Sequence, residues 1–169
     1  MTSLAAQPSQ PFIRTIQPDD NAGMASVIRS VMTEHGATGE GFAIVDPEVD
    51  RMFEAYQQPH ARFYVIESDG EVVGGGGLAP LKGAADDICE LQKFYFLPEA
   101  RGQGYGLDIL NRCLADAVNF GYKSCYIETL EGMENAASLY TKNGFKPIDG
   151  PMGNTGHFKC NAWFIKELK

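Results

Sequence analysis

Positive charge is scarce in this chain of 169 residues: 14 lysines and arginines face 22 aspartates and glutamates, a net charge of -8. That balance makes a poor non-specific ligand for the phosphate backbone of a nucleic acid or for an anionic membrane surface. No stripe of interleaved basic and aromatic residues offsets it. Neither a nucleic-acid partner nor a membrane partner is expected. The excess of carboxylates serves solubility, and it suits a cationic or amine-bearing partner better than an anionic one. Long apolar runs are also missing. None approaches the ~18 residues of a membrane span, and residues 1–10 carry no apolar stretch of an export signal. A cytoplasmic protein is expected. Cysteine is sparse and unpatterned. Cys89, Cys113, Cys125 and Cys160 form no C-x-x-C pair, and each lies in an apolar stretch. A thiol in such a setting behaves as a small hydrophobe, so four reduced core thiols are expected. Of the three histidines only His157 has a spacing, to Cys160, that suggests a metal. Two ligands are too few for a structural zinc site, and no metal is expected. The chain holds no Gly-Lys-Ser or Gly-Lys-Thr, which removes the P-loop.

Glycine is what the chain has in excess: 19 residues, about 11% against a usual ~7%. The length fits one domain, read here as residues 11–169 behind a flexible tail of residues 1–10. Residues 12–16 read as a first strand. Asp19, Asp20 and Asn21 offer caps for a helix whose face carries Met24, Val27, Ile28, Val31 and Met32. Asp46-Pro47 looks like the cap and first residue of a second short helix, with Val49, Met52, Phe53 and Tyr56 as its apolar stripe. The period then changes. Strands are expected at 63–67 and 71–78 around the turn signal Asp69-Gly70, and at 88–97 before Pro98. Residues 107–121 read as a helix with Leu107, Leu110, Leu114, Ala117 and Val118 on one face and Gly121 ending it. A strand at 124–129, a helix at 134–143 and strands at 145–148 and 158–166 complete the chain. The order β-α-α-β-β-β-α-β-α-β-β implies an α/β fold: a mixed, mostly antiparallel sheet flanked by helices, with one parallel pair across the crossover.

The segment from Phe94 to Gly106 is the most informative. A strand ends at Pro98, Arg101 follows, Gly102, Gly104 and Gly106 alternate, and a helix begins. Glycines let backbone N–H groups approach a ligand, and a helix N-terminus adds partial positive charge, so the arrangement suits a phosphate or pyrophosphate. Alternating glycines do not give the G-x-G-x-x-G of a dinucleotide loop, because the next required position holds Leu107.

These residues resemble the GCN5-related N-acetyltransferases (GNAT). Arg101-x-x-Gly104-x-Gly106 after Leu97-Pro98 is similar to that family's acyl-CoA pyrophosphate loop. The run Ala136-Ala137-Ser138-Leu139-Tyr140-Thr141-Lys142-Asn143-Gly144-Phe145 is similar to its A-x-x-L-Y-x-x-x-G-F motif. The resemblance implies the GNAT-type sheet with parallel strands splayed at the cofactor site. It implies acetyl-CoA as co-substrate, held by Arg101, Gly102, Gln103, Gly104, Tyr105 and Gly106, with pantetheine against Phe94 and Phe96. It implies acetyl transfer to a primary amine of a small molecule or peptide in a ternary complex. The alternative is a CoA-binding regulatory or interaction module without catalysis, which Met133 favours, since many members carry Asn at that position. Tyr140 falls where the family places a tyrosine near the thiol, and it reads otherwise as a buried tyrosine closing a helix onto the sheet.

Glu90 matches a strand position that supplies the general base in part of the family. Strand parity puts Ile88, Glu90, Gln92, Phe94 and Phe96 on one face, where a lone carboxylate needs a partner or a role. A salt bridge with the nearby Lys93 is the structural reading. By the resemblance, the loops at 34–45 and 149–157 line the acceptor side, with Glu34, Phe42 and His157 as candidate contacts. His157 is a second base, a hydrogen-bond donor to substrate, or a residue closing a turn. Gly74–Gly77 in a strand suggest a bulge or room for substrate. The exposed edge of the last strand would allow a homodimer.

Overall fold

A computed structural model of the chain describes residues 9–131 and 134–169. Its strands are β1 (Phe12–Thr15), β2 (Arg62–Ser68), β3 (Glu71–Pro80), β4 (Ile88–Phe96), β5 (Ser124–Thr129), β6 (Lys146–Ile148) and β7 (Ala162–Glu167). Its α-helices are α1 (Asn21–Glu34), α2 (Met52–Ala55), α3 (Tyr105–Phe120) and α4 (Glu134–Lys142). All seven strands join one sheet in the order β1-β2-β3-β4-β5-β7-β6. Neighbours are antiparallel except β4 and β5, which the crossover through α3 makes parallel.

Both faces of the sheet are covered. Phe63, Tyr64, Val65 and Ile66 of β2 are all buried, and successive side chains point to opposite faces. Phe63 and Val65 pack with Met24 and Ile28 of α1, whereas Tyr64 and Ile66 pack with Ile109 and Leu110 of α3. The face of α1 is the one its spacing predicts. That of α3 is turned from the expected one: Ile109, Leu110, Cys113 and Ala117 are buried, while Leu107 and Val118 are exposed. Residues 107, 114 and 118 share helical spacing, but they form the edge of a face centred on Cys113. Gly121 ends α3 at φ 91, a left-handed cap that glycine adopts without a Cβ penalty.

Three further expectations change. The second helix is broken: Pro47–Asp50 form a 3-10 turn, Arg51 leaves the helical region at φ -139, and α2 holds only four residues. The break lets Val49 and Met52 both reach the core. The final strand starts at Ala162, because the chain turns at Cys160, whose N–H bonds the carbonyl of His157 at 3.1 Å. That strand lies between β5 and β6, so the free edges of the sheet belong to β1 and the three-residue β6. An edge-to-edge dimer through the last strand is therefore removed.

The largest change concerns parity in β4. Gly77 pairs with Gln92 and Gly75 with Tyr95, so Lys93 and Phe94 together oppose the single residue Gly76. Lys93 takes φ 56, a left-handed conformation that is costly for a long side chain. This bulge reverses the alternation. Glu90 and Gln92 face the α1 and α2 side, where the Tyr56 hydroxyl bonds Gln92 at 2.7 Å. Beyond the bulge, Phe94 and Phe96 pack with the α3 core and Tyr95 with the α1 core. Glu90 therefore does not share a face with Phe94 and Phe96. The glycines of β3 answer to those rings. A Cβ at Gly76 would lie 2.7 Å from the Phe94 ring, one at Gly74 2.7 Å from Phe96, and one at Gly75 2.7 Å from Phe63. The space is filled by aromatic side chains and not by substrate; the expected bulge is present in β3 beside Gly74, where Val73 is the extra residue between the Ile66–Gly74 and Glu67–Val72 pairs, in addition to the one at Lys93 on β4.

Candidate active site

The parallel ladder between β4 and β5 covers Ile88, Cys89 and Glu90 against Ser124, Cys125 and Tyr126. After Glu90 the strands diverge. The opening is a cavity of about 80 Å³ whose lining includes Glu90, Phe94, Glu128, Tyr140, His157 and Cys160. Tyr140 reaches it from α4, held between the rings of Phe145 and Phe164 at 5.9 and 6.0 Å. Burial raises its phenol above the ordinary value, so it keeps its proton at neutral pH.

The glycine loop lies at the start of α3. Gly102 takes φ 72 and Gly104, the residue before the helix, takes φ 85. A Cβ at either would meet nothing within 4 Å, so the loop presents open backbone. The first N–H groups of α3 have no intrahelical acceptor by construction. Gln103 turns its amide back onto the Glu99 carbonyl at 2.6 Å. Gly106 packs toward Leu139 and Phe96, joining the loop to α4. Arg101 bonds the Phe96 carbonyl through Nε at 2.9 Å and the Glu34 carboxylate through both terminal nitrogens, at 2.9 and 2.6 Å. The residues suit a pyrophosphate: exposed amides, a helix N-terminus and one guanidinium, with a carboxylate now paired to the last.

The cavity itself is built from side chains. Gln92 donates to Oε1 of Glu90 at 2.6 Å. Glu90 is 4% exposed. Burial, helped by the nearby charge of Glu128, pushes its carboxyl up to about 7. Lys93 makes no ion pair with Glu90 and pairs instead with Asp46 at 2.5 Å and Glu48 at 3.5 Å. Asp46 thus makes no helix cap; its side chain belongs to this cluster. His157 bridges Asp46 through Nε2 at 2.7 Å and Glu128 through Nδ1 at 3.0 Å. Glu128 also accepts from the Thr155 and Tyr126 hydroxyls, the latter at 2.9 Å. Burial alone would lower His157, but its bonds to the two carboxylates outweigh that and raise it to about 9. Burial would raise Asp46, yet His157 and Lys93 hold it below the ordinary carboxylate range. Both imidazole nitrogens face acceptors, which only the doubly protonated ring satisfies. His157 is a fixed cation, and a role as second base does not fit this geometry.

The family model of the acetyltransferase (GNAT) family matches residues 28–145. The chain belongs to this family. Among GNAT relatives, YjgM, an uncharacterized N-acetyltransferase of Escherichia coli K12, is 43% identical over 162 residues, 95% of this chain and 97% of its own. An uncharacterized N-acetyltransferase of Schizosaccharomyces pombe is 27% identical over 85% of this chain and 87% of its own. Solved structures share the fold. A GNAT acetyltransferase of Staphylococcus aureus Mu50 superposes with a TM-score of 0.80 at 18% identity, covering 95% of this chain and 100% of that one. YncA of Salmonella typhimurium, solved with acetyl-CoA, gives 0.74 at 19% identity and 95% coverage of each.

Set in the GNAT frame, the sequence-predicted residues divide. Glu90, Phe94, Tyr140, Phe42 and His157 line one cavity. Arg101, Gly102, Gln103, Gly104, Tyr105 and Gly106 form the adjoining loop and helix start, with Phe96 between the two. Glu34 is not at the acceptor end: it caps Arg101 beside the glycine loop. Cys160 lines the cavity and is not a core thiol, unlike Cys89, Cys113 and Cys125. Met133 lies outside the described residues. Sequence reasoning missed Asp46, Lys93 and Glu128 as one charged cluster around His157, and Gln92 as the partner of Glu90. Asp46 reads as a cap before proline, and nothing local marks Lys93 as a bulge. The polar loop at 149–157 was the one available signal, and it led only to His157. Among the described residues, no helix is long and apolar enough to cross a membrane.

Proposed function

We propose that the protein transfers an acetyl group from acetyl-CoA to a primary amine, by direct attack with both substrates bound. The observation that carries this reading is the divergence of β4 from β5 immediately after Glu90, which opens a cavity onto a buried carboxylate, while the anion-suited loop lies outside its lining, past Phe96. The amides of residues 103–106 and the N-terminus of α3 would hold the pyrophosphate, with Arg101 beside them. Acetyl-CoA supplies an acetyl group already activated as a thioester.

Glu90 takes the proton that an acceptor ammonium must shed, directly or through one water. An ordinary carboxyl lies about six pKa units below a lysine-type ammonium, roughly 8 kcal/mol uphill. With Glu90 at about 7, the difference falls to roughly 5 kcal/mol. Tyr140 keeps its proton and donates a hydrogen bond to the sulfur as it leaves. Its raised phenol makes it a better hydrogen-bond donor than a full proton donor to a thiolate near 8.5.

Isothermal titration with acetyl-CoA, followed by thiol release in the presence of an amine panel, tests the reading. Binding plus amine-dependent thiol release is expected. No binding at millimolar acetyl-CoA ends it.

A further inference from the structure

The acceptor end of the cavity has an unequal charge balance that bears on what it takes. Asp46, Glu48, Glu90 and Glu128 meet two cations, Lys93 and His157. Both cations are already spent. Lys93 is 3% exposed and lies between Asp46 and Glu48. His157 commits one nitrogen to Asp46 and the other to Glu128. Glu90 is different. Its Oε1 accepts from Gln92, and among the described residues no hydrogen bond reaches Oε2. No side-chain oxygen there is both sealed and unpartnered, so Oε2 opens into the cavity. A carboxylate oxygen that opens into a small cavity is partnered by whatever enters it, and a hydrogen-bond donor is favoured there. Much of the remaining wall is apolar, with Met32, Phe42, Tyr95 and Leu130 available to cover a hydrocarbon stem.

We infer that the acceptor is a cationic primary amine on an alkyl or arylalkyl stem, with no carboxylate on the carbon that bears the nitrogen. The inference rests on the acetyltransferase reading of this cavity and adds the substrate class. The ammonium supplies the donor that Glu90 Oε2 lacks. A neighbouring carboxylate would meet Glu90 and Glu128, and neither cation that lines that end, Lys93 or His157, is free to answer it, Lys159 lying outside the lining, over the Phe42 ring at 5.5 Å; like charges brought together in a site are strongly disfavoured. Free α-amino acids are therefore excluded at their α-amine.

The test uses the wild-type protein saturated with CoA and three matched pairs, read by titration calorimetry and by the KM of acetyl-CoA-dependent thiol release. The pairs are phenethylamine with phenylalanine, 3-methylbutylamine with leucine, and pentylamine with norleucine. In at least one pair the amine is expected to bind tighter than its amino acid by about tenfold or more. Phenylalaninamide, which keeps the branch and loses the charge, should follow the amine. Failure of CoA itself to bind removes the acetyltransferase reading. With CoA bound, an amino acid that equals its amine, an amide that fails with its acid, or no binding by any pair overturns this inference alone. Asp46→Asn releases Lys93 and His157, and in a folded variant the discrimination should narrow. Discrimination unchanged in that folded variant also overturns the inference, and if the variant does not fold the wild-type panel decides.

Discussion

The two ends of the opening between β4 and β5 are made of different material. The loop end is backbone: a contiguous run, residues 102–106, whose glycines leave amides uncovered at the start of α3. The acceptor end is side chain: Asp46, Glu90 with its bulged neighbour Lys93, Glu128 and His157, drawn from four separated stretches. A backbone site can hold an anion in a chain of net charge -8 because it needs dipoles and not net charge. A side-chain site sets the local charge and so chooses among acceptors. The difference suggests that the two ends can be damaged separately.

The largest effect should follow from Gly104→Glu. It adds a carboxylate at a position of φ 85, against the proposed pyrophosphate. Acetyl-CoA affinity should fall by at least about a hundredfold in calorimetry. Next is Glu90→Gln. Turnover should fall by about 10²–10⁴-fold while acetyl-CoA affinity stays near wild type. Equal loss of both would erase the division between the two ends.

A smaller effect belongs to pH and stability. His157 is raised from 6.5 to about 9 in the fold. The stability it contributes is fully present below 6.5 and is lost as pH rises through about 9, on the order of 3 kcal/mol. Glu90, raised to about 7, acts in the same direction: its contribution is present below about 4.5 and lost as pH rises through about 7. Denaturant melts of wild type against His157→Gln, from pH 6 to 10, should converge toward the alkaline end. Parallel curves would show that the bridge from Asp46 to Glu128 does not hold the acceptor end together. The smallest effect is expected at Glu34→Gln. It frees Arg101 from an exposed ion pair worth little in itself, and acetyl-CoA affinity should rise by only about two- to fivefold.

The same contrast explains what could be read from the sequence. The element order, the parallel pair and the glycine loop depend on local periodicity and on contiguous spacing, and they are legible in the chain. Glu90, Tyr140 and His157 stand out as single residues, and the structure brings them to one cavity. Their partners do not stand out. Strict alternation along β4 puts Glu90 beside Phe94, and only the pairing with β3 reveals that Lys93 takes an extra place in the strand. Gly74–Gly77 look like space for a ligand, because sequence shows a missing side chain but not the Phe63, Phe94 and Phe96 rings that enter it. Asp46 and His157 are 111 residues apart, and no spacing rule joins them.

A crystal structure with CoA bound tests the central claim most directly. The account predicts pyrophosphate oxygens about 3 Å from the amides of residues 103–106, and the sulfur in the opening beyond the Glu90 and Tyr126 pair, beside Tyr140. CoA bound elsewhere, or β4 and β5 closed against each other past Glu90, would contradict it.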